Sequence, residues 1–172
     1  MPATIASHDH HFHFTVPGTH ISAKAVLGAG LLAGAVYFVL EMLMARFVLG
    51  VSPWVPARMI AAVTQGSVVL PPPFTFDLSV TIAAVIQHAV LSLVYAFIFA
   101  FFAKGRSIMP ATLLGAGYGL LLYAINFYGF TELFPWFAAA RNWGTVSTHL
   151  VFGAVLGGTY AWLAPHEARP AT

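Results

Sequence analysis

Four long apolar stretches alternate with polar connections along this chain. Their approximate bounds are residues 21–49, 79–103, 108–128 and 143–164. Each reaches about 20 residues or more, the length that an α-helix needs to cross about 30 Å of hydrocarbon. The pattern therefore predicts an all-α polytopic membrane protein, a bundle of four transmembrane helices.

The connections differ in length, and this difference predicts the topology. Only residues 104–107 separate the second apolar stretch from the third, so these two helices are predicted to be antiparallel neighbours. The connections at residues 50–78 and 129–142 are longer and should share the opposite face of the bundle. Within the first of them, residues 57–65 are predicted to form a short helix at the membrane interface.

The composition agrees with a membrane location and excludes several classes of function. Hydrophobic residues make up 59% of the 172 residues and charged residues 7%. The few basic residues are scattered, so the chain lacks the basic stripe of a nucleic-acid-binding protein. The absence of cysteine excludes disulfides, thiolate metal sites and iron–sulfur clusters. Hydrolase, zinc-protease and phosphate-loop motifs are also missing, which favours a protein that is not an enzyme.

Three ionisable side chains, Glu41, His88 and His149, interrupt three of the apolar stretches. At 1.5 Å per residue, each lies about 9–13 Å from the face with the long connections. Each also lies on a helical stripe of small or polar residues, which is typical of the packing face of a transmembrane helix. Because an ionisable group in hydrocarbon is costly, we expect the three to converge on one polar pocket. Further pocket candidates near the same face are Asn126, Arg58 and Arg141.

Two kinds of cofactor site suit these residues. His88 and His149, on facing helices, are suited to hold a b-type haem, and together with Glu41 they suit a divalent metal. Alternatively, each histidine hydrogen-bonds a neighbouring helix and Glu41 pairs with Arg46 or Arg141. A separate candidate metal site in the N-terminal tail comprises His8, His10, His11 and His13. A solvated tail without a bound ion is the alternative there.

The distribution of basic residues predicts the orientation, because Lys and Arg are enriched on the cytoplasmic side. The face with both termini has four basic residues and the other face has three: Lys24, Lys104, Arg106 and Arg169 against Arg46, Arg58 and Arg141. The His-rich polar tail of residues 1–20 and the short C-terminal tail of residues 165–172 are therefore predicted to be cytoplasmic. Residues 21–164 form the transmembrane domain between them.

A short internal repeat relates the two halves of the chain. Pro-Trp pairs at residues 53–54 and 135–136 precede Arg58 and Arg141, and a helix with one intramembrane histidine follows each. The repeat predicts two helical hairpins related by a pseudo-two-fold axis along the membrane normal.

Several runs of sequence carry a family resemblance: Glu41–Met44, Ser52–Ala62, Leu70–Pro73, Thr75–Asp77, Asn126–Thr131 and Phe134–Phe137. In these runs the chain resembles a group of small bacterial inner-membrane proteins that are broadly similar to YagU-like proteins. The resemblance covers residues from about 25 to 163 and implies a bacterial four-helix inner-membrane protein. It implies no catalytic role, because none is established for the group. Some members are labelled sodium:proline symporters, a label that does not fit four helices.

From these features we expect a non-enzymatic accessory subunit that packs against a larger bacterial membrane complex, respiratory or photosynthetic, or against itself. Aromatic residues, 15% of the chain, offer broad apolar contact surfaces for such packing. The alternative is a small oligomeric transporter of protons, ions or a solute, with Glu41 and the two intramembrane histidines as a relay.

Overall fold

A computed structural model describes residues 21–164 as a helical bundle. Its α-helices are α1 (Ala23–Phe47), α2 (Trp54–Gln65), α3 (Leu78–Ala103), α4 (Ile108–Ala124) and α5 (Trp143–Leu163). Helices α1, α3 and α5, and α4 with its continuation to Glu132, are long and apolar enough to span a membrane. The predicted all-α, four-span fold is confirmed, including a short helix in the first long connection. The candidate histidine site of the N-terminal tail and both tails lie outside the described residues.

Side-chain caps determine where three of the spanning helices begin. Ser22, Asp77 and Asn142 precede α1, α3 and α5, and accept hydrogen bonds of 3.2, 3.0 and 3.1 Å from backbone N–H groups three residues on. Each cap satisfies a donor that no helical carbonyl reaches. Two hydrogen bonds lower the pKa of Asp77, the larger effect coming from the Val80 N–H and the smaller from the Ser79 hydroxyl. The stability that this charged cap contributes is therefore fully present above the ordinary pKa of an aspartate. It is lost as the pH falls through the lowered pKa of Asp77.

Helix α5 is the central helix of the bundle. In its apolar, membrane-spanning part 44% of the residues are buried, against 22–28% in the other three spanning segments. It packs along α4 on one side and α1 on the other, and α1 in turn packs along α3. Helices α3 and α4 are joined by the short turn but make few contacts. The Tyr118 hydroxyl donates to the Tyr95 carbonyl at 3.1 Å, and Phe99 packs against Tyr118. This sparse packing leaves room between α3 and α4.

Glycines bring α4 and α5 into backbone contact. A Cβ added at Gly115 or Gly119 would fall well inside the van der Waals distance of the Gly153 or His149 carbonyl. Gly153 and Gly157 are equally close to the α4 backbone. In lipid, where the hydrophobic effect does not drive helices together, such close approach is a main source of association. The glycine stripes predicted from the sequence are thus packing faces.

The two long connections lie together at one end of the bundle. The Trp136 indole N–H donates to the Met59 carbonyl of α2 at 3.0 Å, which joins the second connection to the first. After Ala124 the chain widens into a π-helical turn, Ile125–Gly129, where the sequence predicts continuous α-helix. Such turns often occur at functional sites. This one carries Asn126 towards the space between α3 and α4.

Candidate functional site: a cavity inside the bundle

A cavity of about 270 Å³ lies in the half of the bundle nearest the long connections. Side chains of all five helices and of the second long connection line it. Its walls are mainly apolar, with aromatic rings from Phe127, Phe130, Phe134, Phe137 and Phe152. Polar groups reach it at a few points: Gln87, His88, Ser92, Tyr95, Asn126 and His149. An apolar, partly open cavity with a few polar groups is typical of a small-molecule binding site.

The two intramembrane histidines flank one aromatic ring. The Tyr37 ring stacks on the His88 imidazole with centroids 5.1 Å apart, and meets the His149 imidazole edge-on at 4.8 Å. Tyr37 is buried and His149 is only 4% exposed. The structure therefore brings His88 and His149 to one cavity, with the Tyr37 ring between them.

Hydrogen bonds to carbonyl groups define the tautomer of each imidazole. His88 Nε2 lies 3.0 Å from the Gly34 carbonyl, and His149 Nδ1 lies 2.8 Å from the Thr145 carbonyl. Because a carbonyl oxygen only accepts, these two ring nitrogens carry the protons. In a neutral imidazole the other nitrogen is then a hydrogen-bond acceptor. These acceptors are Nδ1 of His88 and Nε2 of His149, and neither makes a hydrogen bond to another group among residues 21–164.

The remaining polar groups differ in how far they are satisfied. Asn126 Oδ1 accepts a hydrogen bond of 2.8 Å from the Tyr95 hydroxyl, which links α3 to the π-helical turn. The Asn126 Nδ2 donors make no hydrogen bond to the described residues. The Gln87 amide, in contrast, donates to the Ile60 carbonyl and accepts from Thr64, so it fastens α2 to α3. Gln87 therefore has a structural role in joining α2 to α3, whereas the Asn126 Nδ2 donors are available to a bound molecule.

Glu41 lies apart from this cavity. It is half-buried between α1 and α5, and it accepts a hydrogen bond from the Thr148 hydroxyl. Within the described part of the chain it forms no ion pair, so the alternative pairing with Arg46 or Arg141 is not formed. Its partner Thr148 also lies 2.9 Å from the Thr145 carbonyl that holds His149. Glu41 is thus joined by its hydrogen bond to Thr148 on the helix that carries His149, and it does not line the cavity.

We expect Glu41→Gln to change the free energy of unfolding by less than about 1 kcal/mol, because an amide keeps the hydrogen bond to Thr148 without a charge. Glu41→Ala removes that bond and leaves a void, so it should cost about 1–3 kcal/mol. Thermal unfolding in detergent micelles measures both, with Glu132→Ala on the exposed connection as a neutral control. Equal losses for Gln and Ala would show that the charge of Glu41, and not its hydrogen bond, is what the fold needs.

Arg58 and Arg141 do not line the cavity, although both were candidates for it. Arg58 donates to the Val69 and Thr75 carbonyls at 2.9 and 3.1 Å, and its buried Nε has no partner. Arg141 donates to the Phe127 carbonyl at 2.7 Å. Both arginines, which are equivalent in the internal repeat, hold backbone near the long connections: Arg58 binds two carbonyls of the first connection, and Arg141 binds the Phe127 carbonyl and the Thr131 hydroxyl.

The geometry does not assemble the predicted cofactor sites. Among residues 21–164, no group of three or more His, Asp or Glu side chains is placed to hold a metal ion. A haem held by both histidines needs one nitrogen from each on a single iron. The Tyr37 ring occupies the space between the two imidazoles, and Gly34 already binds His88 Nε2. The arrangement therefore favours a small-molecule cavity over a shared haem or metal site.

Sequence reasoning did not assign a site role to Tyr37 or Tyr95. Both lie on the small-residue stripes that pointed to the histidines, Tyr37 four residues before Glu41 and Tyr95 seven residues after His88. Their position on the packing face was the available signal. Gln87 lies outside the stripe, and only its hydrogen bonds to α2 identify it.

Comparison with family models, curated proteins and solved structures finds no match. The resemblance to YagU-like proteins therefore stays a prediction from the sequence, and the functional argument depends on the geometry of the cavity.

Proposed function

We propose that this integral membrane protein is a non-enzymatic accessory subunit of a larger bacterial inner-membrane complex, and that it binds a small, largely apolar molecule in its cavity. In this proposal both termini lie on the cytoplasmic side, and the cavity lies in the opposite half of the membrane. The protein holds or presents the bound molecule and does not transform it.

One observation carries the binding proposal. His149, His88 and Asn126 line an aromatic cavity inside the membrane-spanning part, and three of their polar atoms, His149 Nε2, His88 Nδ1 and Asn126 Nδ2, make no hydrogen bond to the described residues. A hydrogen bond to such an atom is worth more where little water competes for it. A bound molecule with matching polar groups would supply these hydrogen bonds.

The outer surface of α3 supports the accessory role. Near the short turn, Phe97, Phe101 and Phe102 are each about half exposed, at 52%, 51% and 55%. Aromatic rings on a transmembrane helix pack well against rings of another membrane protein. Together with the small size of the bundle, this surface favours a subunit of a larger assembly.

A small transporter is the second candidate, and the position of Glu41 favours it. Glu41 contacts Thr148, which precedes His149 on α5, and His149 contacts Tyr37. These side chains connect a carboxyl group to the cavity inside the membrane, where ionisable residues often mark ion or proton pathways.

Extraction of the protein from native membranes with a mild detergent, followed by two assays, distinguishes the accessory-subunit function from the transporter function. We expect the chain to migrate with a larger complex on native gels, and the purified chain to leave proton and solute flux in proteoliposomes unchanged. The reverse result, a stable isolated oligomer that supports ion-dependent flux, would replace the accessory role with transport. Glu41→Gln is the matched variant, because it should abolish such flux only if Glu41 is part of a relay.

A further inference from the structure

We infer that the cavity binds an aromatic alcohol, a phenol or hydroquinone head group with an apolar substituent, whose hydroxyl donates a hydrogen bond to His149 Nε2. The inference rests on the proposed function, because it names the class of molecule that occupies the same cavity.

The hydrogen bond of His149 to its own helix specifies a donor on the ligand. Its Nδ1 proton points to the Thr145 carbonyl, so in the neutral imidazole Nε2 has a free lone pair. A ligand carbonyl or ether oxygen only accepts and cannot satisfy this nitrogen. A hydroxyl group can, and its oxygen still accepts a hydrogen bond from an N–H donor such as Asn126 Nδ2.

The surroundings of His149 specify an aromatic ligand. Three rings, of Tyr37, Tyr123 and Phe127, stand edge-on to the imidazole with centroids 4.8, 5.7 and 5.3 Å away. Further phenylalanine rings from the second long connection line the cavity beyond Phe127. Edge-to-face contacts between rings favour an aromatic guest over a saturated one of the same size.

His149 fits this role better than His88. His149 is almost fully enclosed and lines the cavity. His88 lies between the cavity and a groove on the outer surface of α1 and α3, and the ring of Phe38 also packs on it. Nδ1 of His88 also has no partner among residues 21–164, but His88 is shared with the groove, so we assign recognition to the free nitrogen of the more enclosed His149.

The test measures binding of 4-hexylphenol, its methyl ether 4-hexylanisole and its saturated analogue 4-hexylcyclohexanol to the protein in lipid nanodiscs. Empty nanodiscs correct for partition into lipid. We expect the phenol to bind wild type at least about tenfold more tightly than either analogue. In His149→Phe, which keeps a ring of similar size, this preference should vanish, and in His88→Phe it should remain.

The other outcomes contradict the inference in distinguishable ways. Equal binding of phenol and ether to wild type would overturn it and leave a cavity that binds apolar molecules. Equal binding of the cyclohexanol would overturn the aromatic class, and loss of the preference in His88→Phe alone would overturn the assignment to His149. Binding of none of the probes above empty nanodiscs would overturn the proposed function as well. The wild-type comparison needs no variant, so it decides the ligand class even if His149→Phe does not fold.

Discussion

Gly153→Ala should lower the thermal midpoint of the protein in detergent by about 3–10 °C, the largest effect that we expect from one added methyl group at a described glycine. A Cβ at position 153 would overlap the Gly115 carbonyl and approach the Gly119 nitrogen. Both are backbone atoms, so no side chain can move aside, and α4 and α5 must separate. Because close backbone contact holds these helices together in lipid, we expect the loss to reach the whole bundle.

Gly117→Ala is the matched control for this prediction. It places the same methyl group on α4, but a Cβ there meets no heavy atom within 4 Å. Its thermal midpoint should equal or slightly exceed that of wild type, since alanine is the better helix former. Equal losses at Gly117 and Gly153 would mean that the two glycines act through helix propensity and not through packing of α4 on α5.

Val63→Trp should weaken binding of 4-hexylphenol at least about tenfold, the largest functional effect that we expect. Val63 lies on α2 and lines the cavity. An indole in its place fills part of the space that a ligand occupies, while a tryptophan at the membrane interface is well tolerated. The measurement is equilibrium binding in nanodiscs, with the same lipid correction as for the analogues.

Gln65→Trp provides the control for added bulk and hydrophobicity. Gln65 ends the same helix, is exposed and does not line the cavity. Its binding affinity should stay within about twofold of wild type. Unchanged binding in Val63→Trp would show that the probe occupies the lipid-facing surface and not the cavity.

The fold could be predicted from hydropathy because the bilayer imposes a length on every spanning helix. The packing faces could be predicted as well, because stripes such as Gly115 and Gly119 allow close approach only when they face a neighbour. The depth of His88 and His149 in the membrane stays a prediction from helical rise.

The contents of the site could not be predicted in the same way. Hydropathy does not show that α4 packs on α5 and leaves space beside α3, which is what creates the cavity. Within the π-helical turn that carries Asn126, the Phe127 carbonyl accepts a hydrogen bond from Arg141, a tertiary contact that hydropathy does not show. Tertiary packing also places the Tyr37 ring between His88 and His149. This ring separates the two histidines that the sequence predicts as cofactor ligands.

The central claim is that the cavity holds a small molecule in the membrane. The most direct test is native mass spectrometry of the chain purified in nanodiscs from its own membranes, followed by organic extraction of the bound material. We predict about one small aromatic molecule per chain in wild type and in Gln65→Trp, and its loss in Val63→Trp. A wild-type chain that carries only lipid, in the same amount as Val63→Trp, would contradict the account.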